Sequence, residues 1–150
     1  MNTADKTTTL RDPLEDLLGY QLRRVALLTL TALVEAYAEL ELTSTEAMVI
    51  RFVQANPGCT QADIGRALGV KRTNIAPIAN GLMAKNLLKR TVADGRSHSL
   101  YLTREGAELH RKIAKITAQQ EEYFFGDVPE STRQILMKAL RSLRAKAEQR

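Results

Sequence analysis

Apolar residues recur at helical spacing near the start of the chain. From Pro13 to Ala36, leucine, valine and alanine return every three or four residues, which predicts an α-helix, and proline suits its first turn. In the middle of this segment Leu27, Leu30 and Leu33 extend the apolar surface to nearly every side. A helix of this kind must be covered on more than one face. One face can pack on its own domain, and we expect the other to meet a partner chain.

A second apolar stripe lies near the C-terminus. It follows Pro129 and occupies one side of a predicted last helix, at Leu136, Ala139, Leu140, Leu143 and Ala147. Both terminal stripes are too long to be covered by one small core. We therefore predict that residues 13–40 and 104–149 form a dimerisation bundle with a second copy of the chain. Residues 1–12 are expected to be a flexible polar tail.

Between the terminal helices, polar residues and glycines mark the ends of shorter helices. The segment Thr43–Glu46 has the pattern of a capping box and opens a helix that stops before Pro57. The segment Thr60–Asp63 caps a third helix, which ends at Gly69. A fourth helix is expected to begin within residues 71–73.

A β-hairpin is predicted after the fourth helix. Two runs of strand-forming residues, 87–93 and 97–102, flank Asp94-Gly95, which is a strong signal for a two-residue hairpin turn. Thr103 then caps a fifth helix that ends at Gly126. The predicted fold is therefore mostly α, with four helices, a two-stranded hairpin and two long helices in that order.

The segment from Gln61 to Leu82 has the features of a helix-turn-helix. Two short helices that cross steeply need a small residue at their contact, a glycine at the turn and apolar residues between them. Gly65 supplies the contact and Gly69 the turn, and the apolar residues are Ile64, Leu68, Val70, Ile75 and Ile78. The alternative is an ordinary helical hairpin. The β-hairpin that follows at once favours a winged helix-turn-helix.

The excess positive charge of the chain is confined to this central region. The formal net charge is +5. Residues 60–104 contain eight arginines and lysines against two aspartates, while the rest of the chain carries 14 positive and 15 negative side chains. Positive charge concentrated in this way is typical of a protein with a polyanionic partner. The alternative is a solvated basic surface.

Other classes of site lack the residues that they need. Cys59 is the sole cysteine, and His98 and His110 are the only histidines, so three or four zinc ligands are not available. The sequence has no glycine-rich phosphate loop, nucleophile elbow or paired carboxylates. We therefore expect no enzyme activity, no metal, no cofactor and a passive thiol at Cys59. The N-terminus lacks the pattern of a signal peptide and the longest apolar stretch is too short to span a bilayer, which predicts a cytoplasmic protein.

The chain resembles the MarR (multiple antibiotic resistance regulator) family in several motifs. The wing of that family carries Asp-x-Arg, followed by a Leu-Thr pair that opens the next helix, and this chain has Asp94-Gly95-Arg96 and Leu102-Thr103. The Leu42-Thr43 pair before helix two and the run GLMAKNLLKR after the helix-turn-helix are also similar to the family. The resemblance extends over nearly the whole chain. It implies a homodimeric winged helix-turn-helix regulator whose DNA-binding lobe spans residues 43–103.

The resemblance also implies contacts with double-stranded DNA. The residues that it assigns to DNA binding are Gln61, Lys71, Arg72, Thr73, Asn74, Asn80, Lys89 and Arg96. In the major groove arginine or lysine suits guanine and asparagine suits adenine. Arg96 at the wing tip would enter the minor groove, whereas Lys89 would contact phosphate or be an exposed strand charge. Lys71 and Arg72 could equally be solvated charges, but two cations at a helix N-terminus oppose the helix dipole and favour an anion nearby.

Pro77 affects where the fourth helix is predicted to start. Proline in a helix interior costs about 3 kcal/mol, but it is tolerated near the first turn. We therefore predict that Thr73 is the N-cap, with Lys71 and Arg72 in the preceding turn. Base contacts would then concentrate on Thr73 and Asn74.

A small-molecule effector is a further implication of the resemblance. Its pocket is expected between the dimer-forming helices and the DNA-binding lobe, and aromatic acids, phenols or their thioesters are the expected ligands. Tyr20, Arg23 and Arg24 on helix one are candidates to bind a flat anionic molecule, and Arg51 on helix two is a further one. The alternative is that these arginines lie on the surface or pair with acidic side chains.

The sequence therefore predicts a homodimeric repressor that binds a pseudo-palindromic operator and is released by a small molecule. The alternative is a winged helix that binds DNA constitutively, or contacts other proteins, without an effector.

Overall fold

The computed structural model describes residues 11–93 and 97–149. Within these residues the elements follow in the order α1 (Leu18–Ala38), α2 (Ser44–Ala55), α3 (Gln61–Leu68), α4 (Arg72–Ala84), β1 (Leu88–Ala93), β2 (Ser97–Leu102), α5 (Arg104–Phe125) and α6 (Glu130–Glu148). The predicted order of helices and strands is confirmed. The fold is mostly α, with one two-stranded antiparallel sheet.

Helix α1 begins at Leu18 rather than at Pro13, so its predicted start is wrong. The preceding residues form turns instead. Asp12 Oδ1 accepts a hydrogen bond from the Leu14 amide at 2.9 Å, and the Leu17 amide donates to the Leu14 carbonyl at 2.9 Å. A short polar side chain that satisfies nearby amides offers the backbone an alternative to a helix. The backbone therefore turns helical only after Leu17, which is the N-cap in an extended conformation.

Both predicted capping boxes are present. In α2 the Thr43 hydroxyl accepts from the Glu46 amide at 3.1 Å, while the Glu46 carboxylate accepts from the Thr43 amide at 2.8 Å. Thr60 and Asp63 make the same reciprocal pair at the start of α3, at 3.2 and 2.9 Å. Each box satisfies amides that a helix start would otherwise leave without partners. The local sequence therefore sets where α2 and α3 begin.

Helices α3 and α4 approach closely because Gly65 has no side chain. A Cβ atom at this position would lie 2.8 Å from the Val70 carbonyl oxygen. Gly69 ends α3 with φ 65°, in the left-handed region that favours glycine. The Val70 amide then donates to the Gly65 carbonyl at 2.9 Å and closes the turn. The predicted helix-turn-helix is confirmed.

Strands β1 and β2 follow α4 and pair antiparallel, as predicted. Their register runs from Leu88 opposite Leu102 to Val92 opposite His98. Asp94-Gly95-Arg96, which carries the predicted hairpin turn and wing tip, lies outside the described residues.

The second edge of β2 forms backbone hydrogen bonds with the loop before α3. Leu100 forms a short antiparallel bridge with Cys59. The Leu100 amide donates to the Cys59 carbonyl at 2.9 Å, and the Gly58 amide donates to the Leu100 carbonyl at 2.8 Å. The base of the wing and the start of the helix-turn-helix are therefore joined by backbone hydrogen bonds.

The hydrophobic core lies inside the central lobe. Its largest fully buried side chains are Val49, Ile50 and Val53 of α2, Ile64 of α3, Ile75 and Leu82 of α4, Leu100 of β2 and Ile113 of α5. Helix α1 joins this core near its C-terminal end, where the hydroxyls of Tyr37 and Thr117 share a hydrogen bond of 2.9 Å. The helix-turn-helix, the sheet and α5 consequently share one core.

The two terminal helices, in contrast, expose large apolar side chains. Tyr37 is the buried residue of α1, and every residue of α6 is exposed. The exposed large apolar side chains are Leu18, Leu22, Val25, Leu27, Leu28, Leu30 and Val34 on α1, and Ile135, Leu136, Met137, Leu140 and Leu143 on α6. Apolar surface of this extent marks an interaction site.

Candidate nucleic-acid interface

Helix α4 has a buried inner face and a polar outer face. Ile75, Ala79 and Leu82 are fully buried in the core. The exposed residues on the rest of the helix surface are Arg72, Thr73, Asn74, Pro77, Asn80 and Ala84. The structure therefore brings the four predicted DNA-binding residues of α4 (Arg72, Thr73, Asn74 and Asn80) to the side that solvent or DNA can reach.

The start of α4 differs from the prediction that Thr73 is its N-cap. Lys71 is the N-cap, and its carbonyl accepts from the amides of Asn74 at 2.8 Å and Ile75 at 3.2 Å. The contact between Gly65 and Val70, rather than the proline, fixes the backbone just before the helix. Pro77 consequently lies deeper in the helix than predicted, on its exposed side.

The N-terminus of α4 is electrostatically suited to an anion. The N-cap side chain of Lys71 has no acceptor for the free amides of the first turn, and that turn contains no acidic residue. Arg72 adds a second exposed cation beside these amides. The positive end of the helix dipole and two cations together favour a phosphate at this position.

Two other cations of the central region pair with acidic side chains of the same chain. Lys85 Nζ lies 3.5 Å from a Glu46 carboxylate oxygen and donates to the Glu41 carbonyl at 3.4 Å. Arg66 pairs with Asp63, whose pKa is lowered mainly by hydrogen bonds from Thr60 and further by this arginine. These cations stabilise helix ends, so they contribute less to a DNA-binding surface than the count of charges implies.

The remaining predicted DNA contacts lie on α3 and the hairpin. Gln61 is the first residue of α3 and is half-buried. Lys89 is exposed on β1, opposite Tyr101 of β2. Arg96 lies outside the described residues.

The predicted ligand residues are only partly brought together. Tyr20 Oη donates to Asp12 Oδ2 at 2.9 Å, and Arg24 Nη1 donates to Tyr20 Oη at 3.0 Å. The hydrogen bond with Tyr20 raises the pKa of Arg24. A cavity of about 340 Å³ adjoins this cluster and is lined by Asp12, Glu15, Tyr20, Gln21, Arg24, Val25 and Leu28. The aspartate was not predicted, because nothing in the sequence marks a tail residue as a partner of α1.

Arg23 and Arg51 lie apart from this cavity. Neither residue is among those that line the cavity, and Arg51 is exposed on α2, near His110 of α5. Burial lowers the pKa of His110, and the positive charges of Arg51 and Arg111 lower it further. The assignment of Arg23 and Arg51 to ligand binding therefore stays a prediction.

Cys59 is half-buried, and the structure supports a passive role. Burial raises the pKa of its thiol, and the carboxylate of Asp63 adds to the effect. The thiolate is the reactive form, so a raised pKa makes the group less nucleophilic at neutral pH.

Residues 11–93 and 97–149 contain no cluster of three or more His, Cys, Asp or Glu side chains suited to a metal ion. None of the helices in these ranges is long and apolar enough to cross a membrane.

Comparison with known proteins finds similar sequences among transcriptional regulators. A sequence model of the MarR family matches residues 40–97, from the end of α1 to the hairpin. A putative transcriptional regulatory protein for the hcr operon of Thauera aromatica is 26% identical over 134 residues, which cover 84% of this chain and 78% of the relative.

The search of solved structures also finds transcriptional regulators. The transcriptional repressor CouR bound to a 23-mer DNA duplex superposes with a TM-score of 0.78 at 29% identity, over 87% of this chain and 94% of CouR. CouR bound to p-coumaroyl-CoA superposes with a TM-score of 0.77 at 27% identity, over 91% of this chain and 97% of CouR. The motifs, the fold and these matches agree, and the chain is similar in sequence and structure to the MarR family of winged helix-turn-helix transcriptional regulators.

Proposed function

We propose that the protein is a homodimeric repressor that binds a pseudo-palindromic DNA operator and is released by a small aromatic acid or its thioester. The observation that carries this proposal is the exposed outer face of α4, with uncapped amides and two cations at its start. The named relatives are transcriptional regulators rather than enzymes. A regulator of this kind acts in the cytoplasm without catalysis.

The proposed DNA contacts divide into two classes. Lys71, Arg72 and Lys89 bind phosphate, which supplies affinity without reading sequence. Thr73, Asn74 and Asn80 contact base edges in the major groove, where asparagine can make two hydrogen bonds to one adenine. Gln61 supports the approach from α3, and Arg96 reaches the minor groove. Residues 43–103 form the DNA-binding lobe in this proposal.

The proposed dimer is supported by the exposed apolar sides of α1 and α6. A groove of about 250 Å³ between α5 and α6 is lined mainly by Phe125, Leu136, Met137 and Leu140. A second copy of the chain would cover this groove together with the apolar surface of α1. A two-fold dimer also places two recognition helices about 34 Å apart, which matches successive major grooves and explains a pseudo-palindromic site.

The proposed effector site is the cavity beside Tyr20 and Arg24. CouR binds p-coumaroyl-CoA, a thioester that combines an aromatic group with phosphates. The Asp12 carboxylate accepts a hydrogen bond from Tyr20, and the Tyr20 hydroxyl accepts one from Arg24. A carboxylate or phosphate of a ligand is the same kind of partner for these two groups. Ligand binding would release the DNA if it favours a dimer geometry that no longer matches the operator.

Selection of genomic fragments by the purified protein tests the function directly. We expect the retained fragments to share a short inverted repeat whose half-sites are about one helical turn apart. The alternative is a winged helix that binds DNA without sequence preference or contacts other proteins. It predicts that the retained fragments share no motif. Such a result would contradict the proposed repressor.

Asn74→Ala is expected to change the base preference of the protein, because one bidentate contact contributes about 1–3 kcal/mol of discrimination. Lys89→Ala is the matched control. It should weaken binding to all sequences about equally and reduce the salt dependence by about one released counterion. Binding-site selection with each variant is the measurement. Identical sequence logos for Asn74→Ala and the wild type would remove Asn74 from the base-reading residues.

Arg24→Ala is expected to make operator binding insensitive to the effector. We expect p-coumaroyl-CoA to weaken operator binding by the wild-type protein about five- to 150-fold, the usual range of coupling between two sites. Fluorescence anisotropy of a labelled operator measures this release. Arg111→Ala, which removes an exposed cation of α5, should respond like the wild type. Equal release of the wild type and Arg24→Ala would contradict the proposed cavity.

A further inference from the structure

The outer face of α4 places a proline between two polar residues. Thr73, Pro77 and Asn80 are separated by four and three positions, so they follow one another along the same side of the helix. All three are exposed, while Ile75 and Ala79 between them are fully buried. The ring of Pro77 therefore lies at the centre of the surface that would face the major groove.

The fold does not require a proline at this position. The ring is exposed on the side of α4 that faces away from the core. Proline has no amide hydrogen, so it cannot donate to the Thr73 carbonyl and it weakens the helix. A residue that breaks a local rule on an exposed face without packing in the core is expected to have a functional reason.

The chemistry of this face suits thymine and adenine better than guanine. From Thr73 to Ala84 the helix carries no charged residue, so beyond Arg72 it offers no cation for the guanine edge. The 5-methyl group of thymine is the apolar group that bases present in the major groove, and small apolar side chains contact it. Asparagine at Asn74 and Asn80 suits adenine, the base that pairs with thymine.

We propose that Pro77 is a specificity-determining residue, whose ring packs on the 5-methyl group of one thymine in each operator half-site. This inference rests on the proposed DNA-binding function. It assigns the centre of α4 to an A·T pair that is recognised by an apolar contact, beside the hydrogen bonds that the asparagines make.

Replacement of thymine by uracil tests the contact, because it removes the methyl group and leaves base pairing intact. A duplex selected by the protein from a random-sequence library is resynthesised with deoxyuridine at each thymidine position in turn. Fluorescence anisotropy then gives the affinity of each duplex. We expect one position per half-site at which the wild type binds about fourfold more weakly, the effect of one methyl group that is no longer buried. Pro77→Ser should bind the thymine and uracil duplexes equally at that position.

Ala84→Ser is the matched control, since it makes a similar polar change at another exposed residue of α4. It should keep the wild-type discrimination between thymine and uracil. Pro77→Ser restores the amide, so its thermal midpoint should equal or exceed that of the wild type, which separates lost recognition from lost folding.

The other outcomes are decisive against the inference. If the wild type binds every uracil duplex as tightly as the thymine duplex, the role of Pro77 is overturned. The same holds if Pro77→Ser still discriminates between thymine and uracil. Both results leave the DNA-binding function intact. Failure of the library to yield any preferred sequence overturns both.

Discussion

Replacement of Leu140 and Leu143 by aspartate is expected to convert the protein from a dimer to a monomer. Both leucines lie on the apolar stripe of α6, where their exposed fractions are 37% and 47%, and Leu140 also lines the groove between α5 and α6. Burial of two aspartates in an apolar interface without partners costs several kcal/mol. Sedimentation velocity at micromolar concentration should therefore show the mass of one chain.

The same double variant should lose most of its affinity for the operator. A dimer that binds two half-sites gains about 10²- to 10⁴-fold over a single lobe, because the second contact is intramolecular. Ser131→Asp with Ser142→Asp is the matched control, which adds the same charges to α6 at exposed serines outside the apolar stripe. This control should stay dimeric. A dimeric Leu140→Asp, Leu143→Asp protein with normal operator binding would show that the C-terminal stripe is not the interface.

Gly106→Ala is expected to destabilise the lobe by about 3 kcal/mol, at the upper end for an overpacked core. Gly106 is buried near the start of α5, and a Cβ atom at this position would overlap the carbonyl oxygen of Leu87. That carbonyl also accepts from the amide of Thr103, the N-cap of α5, at 3.1 Å. The added methyl group would therefore separate the base of β1 from α5.

Urea denaturation measures this effect, and Gly81→Ala provides the contrast. Among the described residues, no atom outside its own helix turn and chain neighbours lies within 4 Å of a Cβ atom built at Gly81, and its backbone is helical. Alanine at a helical glycine should stabilise the lobe by about 0.5–1 kcal/mol. A Gly106→Ala protein as stable as the wild type would mean that the strand and helix can separate without cost.

The sequence did not predict the surroundings of residues that contact distant parts of the chain. The predicted N-cap at Thr73 followed from the cost of an internal proline. The contact of Gly65 with Val70 sets the start of α4 at Arg72 instead. The positive charge of residues 60–104 includes Lys85, but this lysine pairs with Glu46 on α2. The packing role of Gly106 is not predictable from neighbouring residues, because it depends on the approach of Leu87.

The candidate ligand site shows the same division. Tyr20 and Arg24 are four residues apart, so helical spacing alone brings them to one side of α1. Arg23 is three positions after Tyr20, so spacing does not exclude it, but it is not among the residues that line the cavity. The contact of Tyr20 with Asp12 depends on the turns before α1, and the distance of Arg51 from the cavity depends on how α2 packs. The structure therefore groups two of the four candidate residues, Tyr20 and Arg24, with Asp12, which the sequence did not mark.

Features that depend on neighbouring residues were predictable from the sequence alone. The capping boxes at Thr43 and Thr60, the left-handed turn at Gly69 and the strands on either side of Asp94-Gly95 each follow from hydrogen bonds or backbone preferences within a few positions. Tertiary contacts were needed to establish the start of α4, the partners of the charged residues and the grouping of Tyr20, Arg24 and Asp12. These depend on contacts between segments far apart in the chain, and the packing of a shared core overrides local preference there.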